Sequence, residues 1–186
     1  MNIIALCGYP YAGKDTFFDE CMPEGSILVS VSAIVRQLSR AQDRAGLQAT
    51  AHLGPQIAAA VEDEVRAAVD ALTLTAVNAR ANLGKSSVSE LAIVINGIRQ
   101  PEILEHLVAA FPDITIVWLE ASEQTRTRRF KNHVQDKDAA TASYTDLVAR
   151  EISLGLGRLE TWVKTQPLTI VVDANTDYAF NWQDEE

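Results

Sequence analysis

The sequence predicts an α/β fold in which a five-stranded parallel sheet lies between helices on both faces. Five short apolar runs alternate with segments that carry helical periodicity or helix-start signals, which is typical of strand–helix–strand units. The first run ends at a glycine-rich segment, as a buried parallel strand does before it turns into a helix. The length of 186 residues is close to that of one domain, so we expect a single domain over residues 1–186.

Each element has its own signal. The predicted strands are the apolar runs at residues 2–7, 26–30, 91–95, 114–119 and 168–172. The predicted helices cover residues 15–20, 32–45, 55–82, 101–110, a segment from 122, and 144–164. Pro55 stands at a first helical position, and an apolar stripe follows it at Ile57, Val61, Val65, Val69 and Leu72. Polar residues at 84–90 and 131–142 predict exposed loops, the second of them mobile.

The charge balance limits the classes of partner. Sixteen Lys and Arg residues against 25 Asp and Glu residues give a net charge of −9. Because Lys and Arg supply most of the affinity for nucleic acid and anionic lipid, neither partner is favoured, although a local basic pocket for a small phosphorylated ligand is compatible with this charge. No run approaches the roughly 18 apolar residues of a membrane span, no basic segment precedes the first run, and two cysteines without metal or disulfide spacing indicate reduced thiols. We expect a cytoplasmic protein with a small-molecule substrate and leave its oligomeric state open.

The glycine-rich segment after the first strand carries the strongest functional signal. Gly8 and Gly13 are separated by four residues and Lys14 follows, which matches the phosphate-binding loop up to its final Ser or Thr. Glycines let the backbone wrap so that N–H groups point at phosphate oxygens, and the next helix N-terminus adds positive potential. The residues predicted to bind the nucleotide phosphates are Gly8, Ala12, Gly13, Lys14, Asp15 and Thr16.

The end of this loop leaves the metal ligand open. The general pattern has Ser or Thr directly after the lysine to hold Mg²⁺, but here Asp15 stands at that position and Thr16 follows. Asp15 either contacts Mg²⁺, directly or through water, or caps the helix. The competing interpretation of the whole segment is a turn that binds nothing, and its place between the first strand and a helix argues against that.

At this loop the sequence resembles the P-loop nucleoside monophosphate kinases, and the Gly-Lys-Asp-Thr ending is similar to that of phage-type deoxynucleoside monophosphate kinases. Residues 30–36, 95–99 and 126–129 also resemble arginine-bearing segments of this family. Residues 148–157 resemble a stretch found after the lid in dephospho-coenzyme-A-kinase-like and uncharacterised archaeal proteins.

The resemblance implies a P-loop kinase fold and transfer of the γ-phosphate of ATP, with Mg²⁺, to a nucleotide-like acceptor. In that scheme Arg36 and Arg99 bind the acceptor phosphate, and Lys14 and Arg129 stabilise the transferring group. Residues 131–142 form a short lid. A phage origin is compatible with the loop ending, in which case the cytoplasm is that of the host.

The arginines also have an interpretation independent of the resemblance. Arg36 and Arg99 follow predicted strands and can reach the carboxyl edge of the sheet, where ligands bind in open α/β folds. Arg126 and Arg129 are three residues apart and share a helix face, so we expect both at the nucleotide. The competing interpretation for each arginine is a solvated residue or a surface ion pair.

Two departures from the family pattern bear on the acceptor. Ala33 stands where the family has Asp, and Asn96 stands where an acidic residue commonly holds the Mg²⁺ water shell. A missing carboxylate base favours a phosphate acceptor, first of all a (deoxy)nucleoside monophosphate, unless Asp15 acts as the base. The alternatives are a hydroxyl acceptor, such as hydroxymethyl pyrimidine in phage DNA or dephospho-coenzyme A, and a degenerate ATP-binding regulatory module.

Overall fold

The computed structural model describes residues 1–39, 53–83, 91–132, 138 and 141–175, with the backbone alone for residues 76–83. The strands are β1 (Asn2–Gly8), β2 (Ile27–Ser30), β3 (Ala92–Asn96), β4 (Thr115–Glu120) and β5 (Thr169–Asp173). The helices are α1 (Lys14–Cys21), α2 (Val31–Ser39), α3 (Gly54–Leu83), α4 (Pro101–Ala110), α5 (Glu123–Asn132), α6 (Tyr144–Ser153) and α7 (Leu156–Val163).

The strands form one parallel sheet in the order β2-β3-β1-β4-β5. The predicted five-stranded parallel sheet is therefore confirmed, and each strand begins within one residue of its predicted run. β1 lies at the centre, where Ile4 pairs with Val94 of β3 on one side and with Thr115 of β4 on the other. The predicted end of the second helix and the loop at 84–90 lie outside the described residues.

The hydrophobic core lies in two layers, one on each face of the sheet. Alternate residues of β1 supply both layers, since Ala5 and Cys7 face one way and Ile4 and Leu6 the other. Helices α2, α3, α4 and α7 cover the first face, and α1 covers the second through the buried ring of Phe17. The apolar stripe predicted for α3 is buried at Ile57, Val61, Val65 and Leu72, as expected for a helix that packs along a sheet. This arrangement confirms the three-layer α/β architecture.

The segment predicted as one helix over 144–164 is two helices. Gly155 has a φ of 115°, a left-handed conformation that favours glycine, and it ends α6 and precedes α7. A Cβ atom on Gly155 would lie 3.3 Å from the carbonyl oxygen of Arg99, so the turn packs closely on the loop after β3. Apolar periodicity on both sides of the glycine made the prediction wrong, because it does not register a single left-handed residue.

The strand order locates a crevice. From β1 the chain passes through α1 to β2 on one side of the sheet, whereas from β4 it passes to β5 on the other side. Adjacent parallel strands whose connections leave in opposite directions open a crevice at their carboxyl ends, where ligands bind in such folds. The segment 8–13 follows β1 and therefore lies at this crevice.

Two further findings concern the chain as a whole. Both cysteines are free, and Cys7 is buried in β1. Within the described ranges no helix combines the length and the apolar character needed to cross a membrane.

Candidate functional site

The loop between β1 and α1 has three residues with positive φ. Gly8 and Gly13 have φ values of 143° and 100°, and Tyr11 between them has a φ of 61°. A Cβ atom on Gly8 would lie 2.8 Å from the carbonyl oxygen of Leu119, so only glycine allows β1 to end this close to β4. The loop is therefore tightly wrapped, and its shape depends on glycine at both ends.

Lys14 folds back over this loop. Its Nζ atom donates hydrogen bonds to the carbonyl oxygens of Gly8, at 3.0 Å, and Tyr9, at 2.9 Å. Gly13 at the N-cap of α1 has no side chain to cap the helix, and the first N–H groups of a helix have no partners within it. An ammonium group and a helix N-terminus thus face the same crevice, an arrangement that favours anions.

Burial of the ammonium group lowers the pKa of Lys14 to about 8, against the opposing effect of the Asp15 carboxylate. The Arg99 guanidinium lowers the same pKa further, while Glu151 and Cys7 raise it. A phosphate group at the loop would supply negative charge to a cation that is poorly compensated in the free protein. The electrostatics of Lys14 therefore favour an anionic ligand.

This pKa makes the free energy of unfolding depend on pH. A lysine in an unfolded chain has a pKa near 10.5, so between about pH 8 and pH 10.5 the unfolded chain binds more protons than the folded protein. The free energy of unfolding therefore gains a contribution that rises with pH in this window, and the contribution is absent in Lys14→Met. Urea denaturation at several pH values measures the free energy of unfolding of both proteins. As pH rises through this window, wild type should become more stable relative to the variant by up to about 1.4 kcal/mol per pH unit.

The comparison with Lys14→Met is needed because the Cys7 thiol changes the free energy of unfolding with pH in the opposite direction. Burial raises the pKa of the Cys7 thiol to about 12, so its contribution to stability falls as pH rises above 9. Cys7 is present in both proteins and its effect largely cancels in the difference. A difference that stays constant across the window would contradict the pKa assigned to Lys14.

Asp15 and Asn96 meet at the carboxyl end of β3. The Asn96 Nδ2 atom donates a hydrogen bond of 2.9 Å to Oδ1 of Asp15, and Oδ1 of Asn96 is buried without a hydrogen-bond partner among the described residues. The described part of the chain has no cluster of three or more His, Cys, Asp or Glu residues that could hold a metal. Mg²⁺ at phosphate sites needs no such cluster, because it keeps several waters and uses one or two protein oxygens. The Asp15 carboxylate and the Asn96 carbonyl oxygen fit a hydrated Mg²⁺ ion, while Thr16 as a metal ligand stays a prediction.

Arg129 on α5 joins the loop to the end of β5. Its guanidinium donates hydrogen bonds to the carbonyl oxygens of Ala12, at 2.9 Å, and of Ala174, at 2.8 Å. A longer contact of 3.4 Å reaches the carbonyl oxygen of Tyr11. Arg129 therefore fixes the loop in place, while its catalytic role stays a prediction.

Replacement of Arg129 by alanine should destabilise the protein measurably. Two hydrogen bonds from a charged donor are lost, and the expected decrease in the free energy of unfolding is about 1.5–3 kcal/mol. Arg128 is exposed on the same helix, so Arg128→Ala is the matched control and should stay within about 0.5 kcal/mol of wild type. Urea denaturation measures both, and equal effects of the two substitutions would contradict the structural role of Arg129.

Arg126 stacks on two tyrosine rings. Its guanidinium carbon lies 4.2 Å from the ring centroid of Tyr9 and 5.7 Å from that of Tyr144. Its Nε atom is buried and has no hydrogen-bond partner among the described residues. The two predicted site arginines of α5 thus both reach the loop, Arg129 through loop carbonyl oxygens and Arg126 through the Tyr9 ring.

The loop tyrosines are packing residues. The Tyr9 hydroxyl donates a hydrogen bond of 2.7 Å to Glu160, and its ring meets Trp118 edge-on. Tyr11 contacts the Phe130 ring, and its hydroxyl donates to Asp138 at 3.0 Å. Both rings thus pack against other side chains of the protein.

The predicted exposed loop at 131–142 begins later and is partly buried. Helix α5 continues to Asn132, and the side chains of Asp138 and Thr141 are buried. The Asp138 carboxylate accepts the hydrogen bond from Tyr11 described above, which explains its burial. Residues 133–137 and 139–140 lie outside the described residues, and the lid function of this segment stays a prediction.

Arg99 forms an ion pair, as its competing interpretation allowed, but the partner is a buried carboxylate that the sequence did not identify. Its Nε atom contacts Oε2 of Glu151 on α6, and the Glu151 side chain is 3% exposed while that of Arg99 is 24% exposed. The available signal was the apolar face of α6, where Tyr144 and Leu147 are buried and Glu151 continues the same face. A carboxylate on an apolar helix face requires a cation, and Arg99 supplies it.

Arg36 is placed less closely. It is half-buried in the last turn of α2, and among the described residues no hydrogen bond or ion pair joins it to the other predicted site residues. Lys14, Arg126 and Arg129 therefore contact the loop, Asp15 follows it on α1, and Arg99 is linked to it through its electrostatic effect on Lys14. Arg36 stays a prediction.

Comparisons with known proteins show no family. No family model matches the chain, and no curated protein matches it. Among solved structures, an uncharacterized protein from Eubacterium ventriosum has a TM-score of 0.47 at 12% identity, covering 94% of this chain and 90% of that chain. An unliganded sugar kinase from Janibacter sp. has a TM-score of 0.45 at 15% identity, covering 94% of this chain and 86% of that chain. Likeness at this level does not bear on activity, so function is argued from the site.

Proposed function

We propose that this protein is a P-loop phosphotransferase that moves the γ-phosphate of ATP to a nucleotide-like acceptor, first of all a (deoxy)nucleoside monophosphate. The observation that carries the proposal is the loop at 8–13 with Lys14 folded over it at the carboxyl end of the central strand. Wrapped backbone, a helix N-terminus that begins at a glycine and a buried lysine are together the features of a site for nucleotide phosphates.

The concentration of cations at this crevice supports transfer rather than binding alone. The protein has 16 Lys and Arg residues and a net charge of −9, yet Lys14, Arg99, Arg126 and Arg129 gather around one loop. In phosphoryl transfer, negative charge spreads over the phosphoryl oxygens, and catalysis consists mainly of placing cations and excluding water. Four arginine or lysine groups at one loop are well suited to two anionic substrates.

The proposed step is an in-line displacement. An oxygen of the acceptor phosphate forms a bond to the γ-phosphorus as the bond from that phosphorus to the β–γ bridging oxygen breaks, giving ADP and a diphosphate product. Lys14 and Arg129 would hold the transferring group, and Arg36 and Arg99 would hold the acceptor. Bound Mg²⁺ would neutralise charge on the ATP phosphates.

The state of the nearby carboxylates supports a phosphate acceptor over a hydroxyl acceptor. A hydroxyl needs a general base, and a carboxylate in an ion pair is a poor one. Two described carboxylates raise the pKa of Lys14. Of these, Glu151 is paired with Arg99, and Asp15 accepts a hydrogen bond from Asn96. A phosphate oxygen is already nucleophilic and needs only positioning.

The test is a coupled-enzyme assay for ADP formation with ATP, Mg²⁺ and each common nucleoside and deoxynucleoside monophosphate. We expect turnover that saturates with one or a few acceptors. Tight ATP binding with no turnover of any acceptor would overturn the phosphotransferase proposal in favour of a regulatory module. Turnover confined to dephospho-coenzyme A or hydroxymethylated DNA would overturn the monophosphate acceptor alone.

A further inference from the structure

The ion pair between Arg99 and Glu151 links the acceptor side of the site to helix α6. Arg99 lies three residues after the end of β3, the strand end at which Asn96 and Asp15 meet. The contact recorded for this ion pair joins the Nε atom of Arg99 to Oε2 of Glu151. The two terminal nitrogens of a guanidinium are the ones that form a paired contact with a phosphate group.

Helix α6 is fixed to the phosphate loop at its other end. The Tyr144 hydroxyl donates a hydrogen bond of 3.2 Å to the carbonyl oxygen of Pro10, within the loop. Ser143 caps the helix by accepting a hydrogen bond from the backbone N–H of Asp146. One short helix thus contacts the loop for the donor phosphates at its first residue and the acceptor arginine two turns later.

The turn after α6 adds a second contact to the same place. Gly155 packs against the backbone of Arg99 and Gln100, and a Cβ atom there would lie 3.3 Å from the Arg99 carbonyl oxygen. Arg99 is therefore held at its side chain by Glu151 and at its backbone by the turn. Both contacts come from the segment 151–155, so this segment determines where the guanidinium can lie.

We propose that Glu151 is a positioning residue, which holds the Arg99 guanidinium so that its terminal nitrogens bind the acceptor phosphate. This inference rests on the proposed function, because it assigns Arg99 to the acceptor. An ion pair that only neutralised a buried carboxylate would serve stability and leave acceptor binding unchanged, which gives the proposal a direct test.

The test is a double-mutant cycle on acceptor binding. Calorimetry measures the affinity of the full-length protein for each of the four deoxynucleoside 5′-monophosphates and for inorganic phosphate, with Mg²⁺ and a saturating non-hydrolysable ATP analogue. Glu151→Gln keeps the shape of the side chain and removes its charge, and we expect about tenfold weaker acceptor binding with the affinity for the ATP analogue unchanged. Arg99→Ala should have at least the same effect, and the double variant should bind no more weakly than Arg99→Ala.

A second ion pair of the same region is the matched control. Glu102 on α4 pairs with Arg158 on α7, and both side chains are exposed. Glu102→Gln should leave acceptor affinity unchanged. Equal affinities for wild type and Glu151→Gln, or a further loss when Glu151→Gln is added to Arg99→Ala, would overturn the positioning role.

A measurement on the wild-type protein covers the case in which Glu151→Gln does not fold. The side-chain N–H signal of Arg99 Nε is assigned in a nitrogen–proton correlation spectrum by its loss in Arg99→Lys. We expect this signal to exchange slowly with solvent and to shift when the acceptor or inorganic phosphate is added. A signal that does not respond to either would overturn the proposal.

The outcomes separate this inference from the proposed function. Turnover that is insensitive to Glu151→Gln would overturn the positioning role alone. Anion binding that depends on Arg99 and Glu151, without turnover of any acceptor, would support positioning and overturn the phosphotransferase. The absence of both acceptor binding and turnover would overturn both proposals.

Discussion

Lys14→Met should reduce kcat of the proposed phosphotransfer by roughly 10²–10³-fold and leave the protein folded. The Lys14 ammonium donates hydrogen bonds to two carbonyl oxygens of the loop that the proposed reaction uses, so the variant removes a preorganised charge from the site. Its burial lowers its pKa to about 8, which means that the folded protein holds this charge unfavourably. Methionine has a similar length and no charge, so it removes the unfavourable burial of charge and the two hydrogen bonds to the loop together, and these losses act in opposite directions on the free energy of unfolding.

The measurement pairs kcat from the coupled assay with the free energy of unfolding at neutral pH. Lys164→Met is the control, because Lys164 is an exposed lysine whose ammonium bonds to the Glu120 and Glu160 carboxylates rather than to carbonyl oxygens of the loop. Exposed ion pairs contribute little, so this variant should lose less than about 1 kcal/mol and keep its activity. Retention of more than about a tenth of kcat in Lys14→Met would exclude Lys14 from the transition state.

The sheet could be predicted because its signals are local. Each strand is a short apolar run, buried on both faces in the three central strands, and each run can be recognised without knowledge of its neighbours. The same holds for α4, where Pro101 at the first helical position and the apolar residues behind it fixed the helix. Local chemistry likewise identified the loop at 8–13, since glycine and lysine at that spacing have few other uses.

The contacts of the site could not be predicted, because they join residues far apart in the chain. Arg99 lies between a predicted strand and a predicted helix, Glu151 lies in another predicted helix, and neither segment identifies the other as its partner. Arg129 was predicted to face a ligand, and the observed hydrogen bonds to the carbonyl oxygens of Ala12 and Ala174 depend on how β5 ends beside the loop. The break at Gly155 was missed because the apolar periodicity continues on both sides of it, and a single left-handed residue does not change that pattern.

Gly8→Ala should be among the most destabilising single substitutions in this protein. Gly8 has a φ of 143°, and an added Cβ atom would lie 2.8 Å from the carbonyl oxygen of Leu119, which belongs to the neighbouring strand β4. That oxygen is part of a central strand and cannot move aside as a flexible side chain would. Backbone strain and overpacking each cost about 1–3 kcal/mol, so we expect the free energy of unfolding to fall by about 2–4 kcal/mol.

Gly157→Ala supplies the matched control in urea denaturation. Gly157 lies inside α7, and a Cβ atom there meets only the end of Ile152, at 3.9 Å. Alanine is the better helix former, so this variant should be unchanged or more stable by up to about 1 kcal/mol. If Gly8→Ala were as stable as Gly157→Ala, the close approach of β1 to β4 would be wrong. Relief of the clash has to separate the end of β1 from β4 and move Lys14 with the loop, so Gly8→Ala should also weaken binding of the ATP analogue, whereas Gly157→Ala should not.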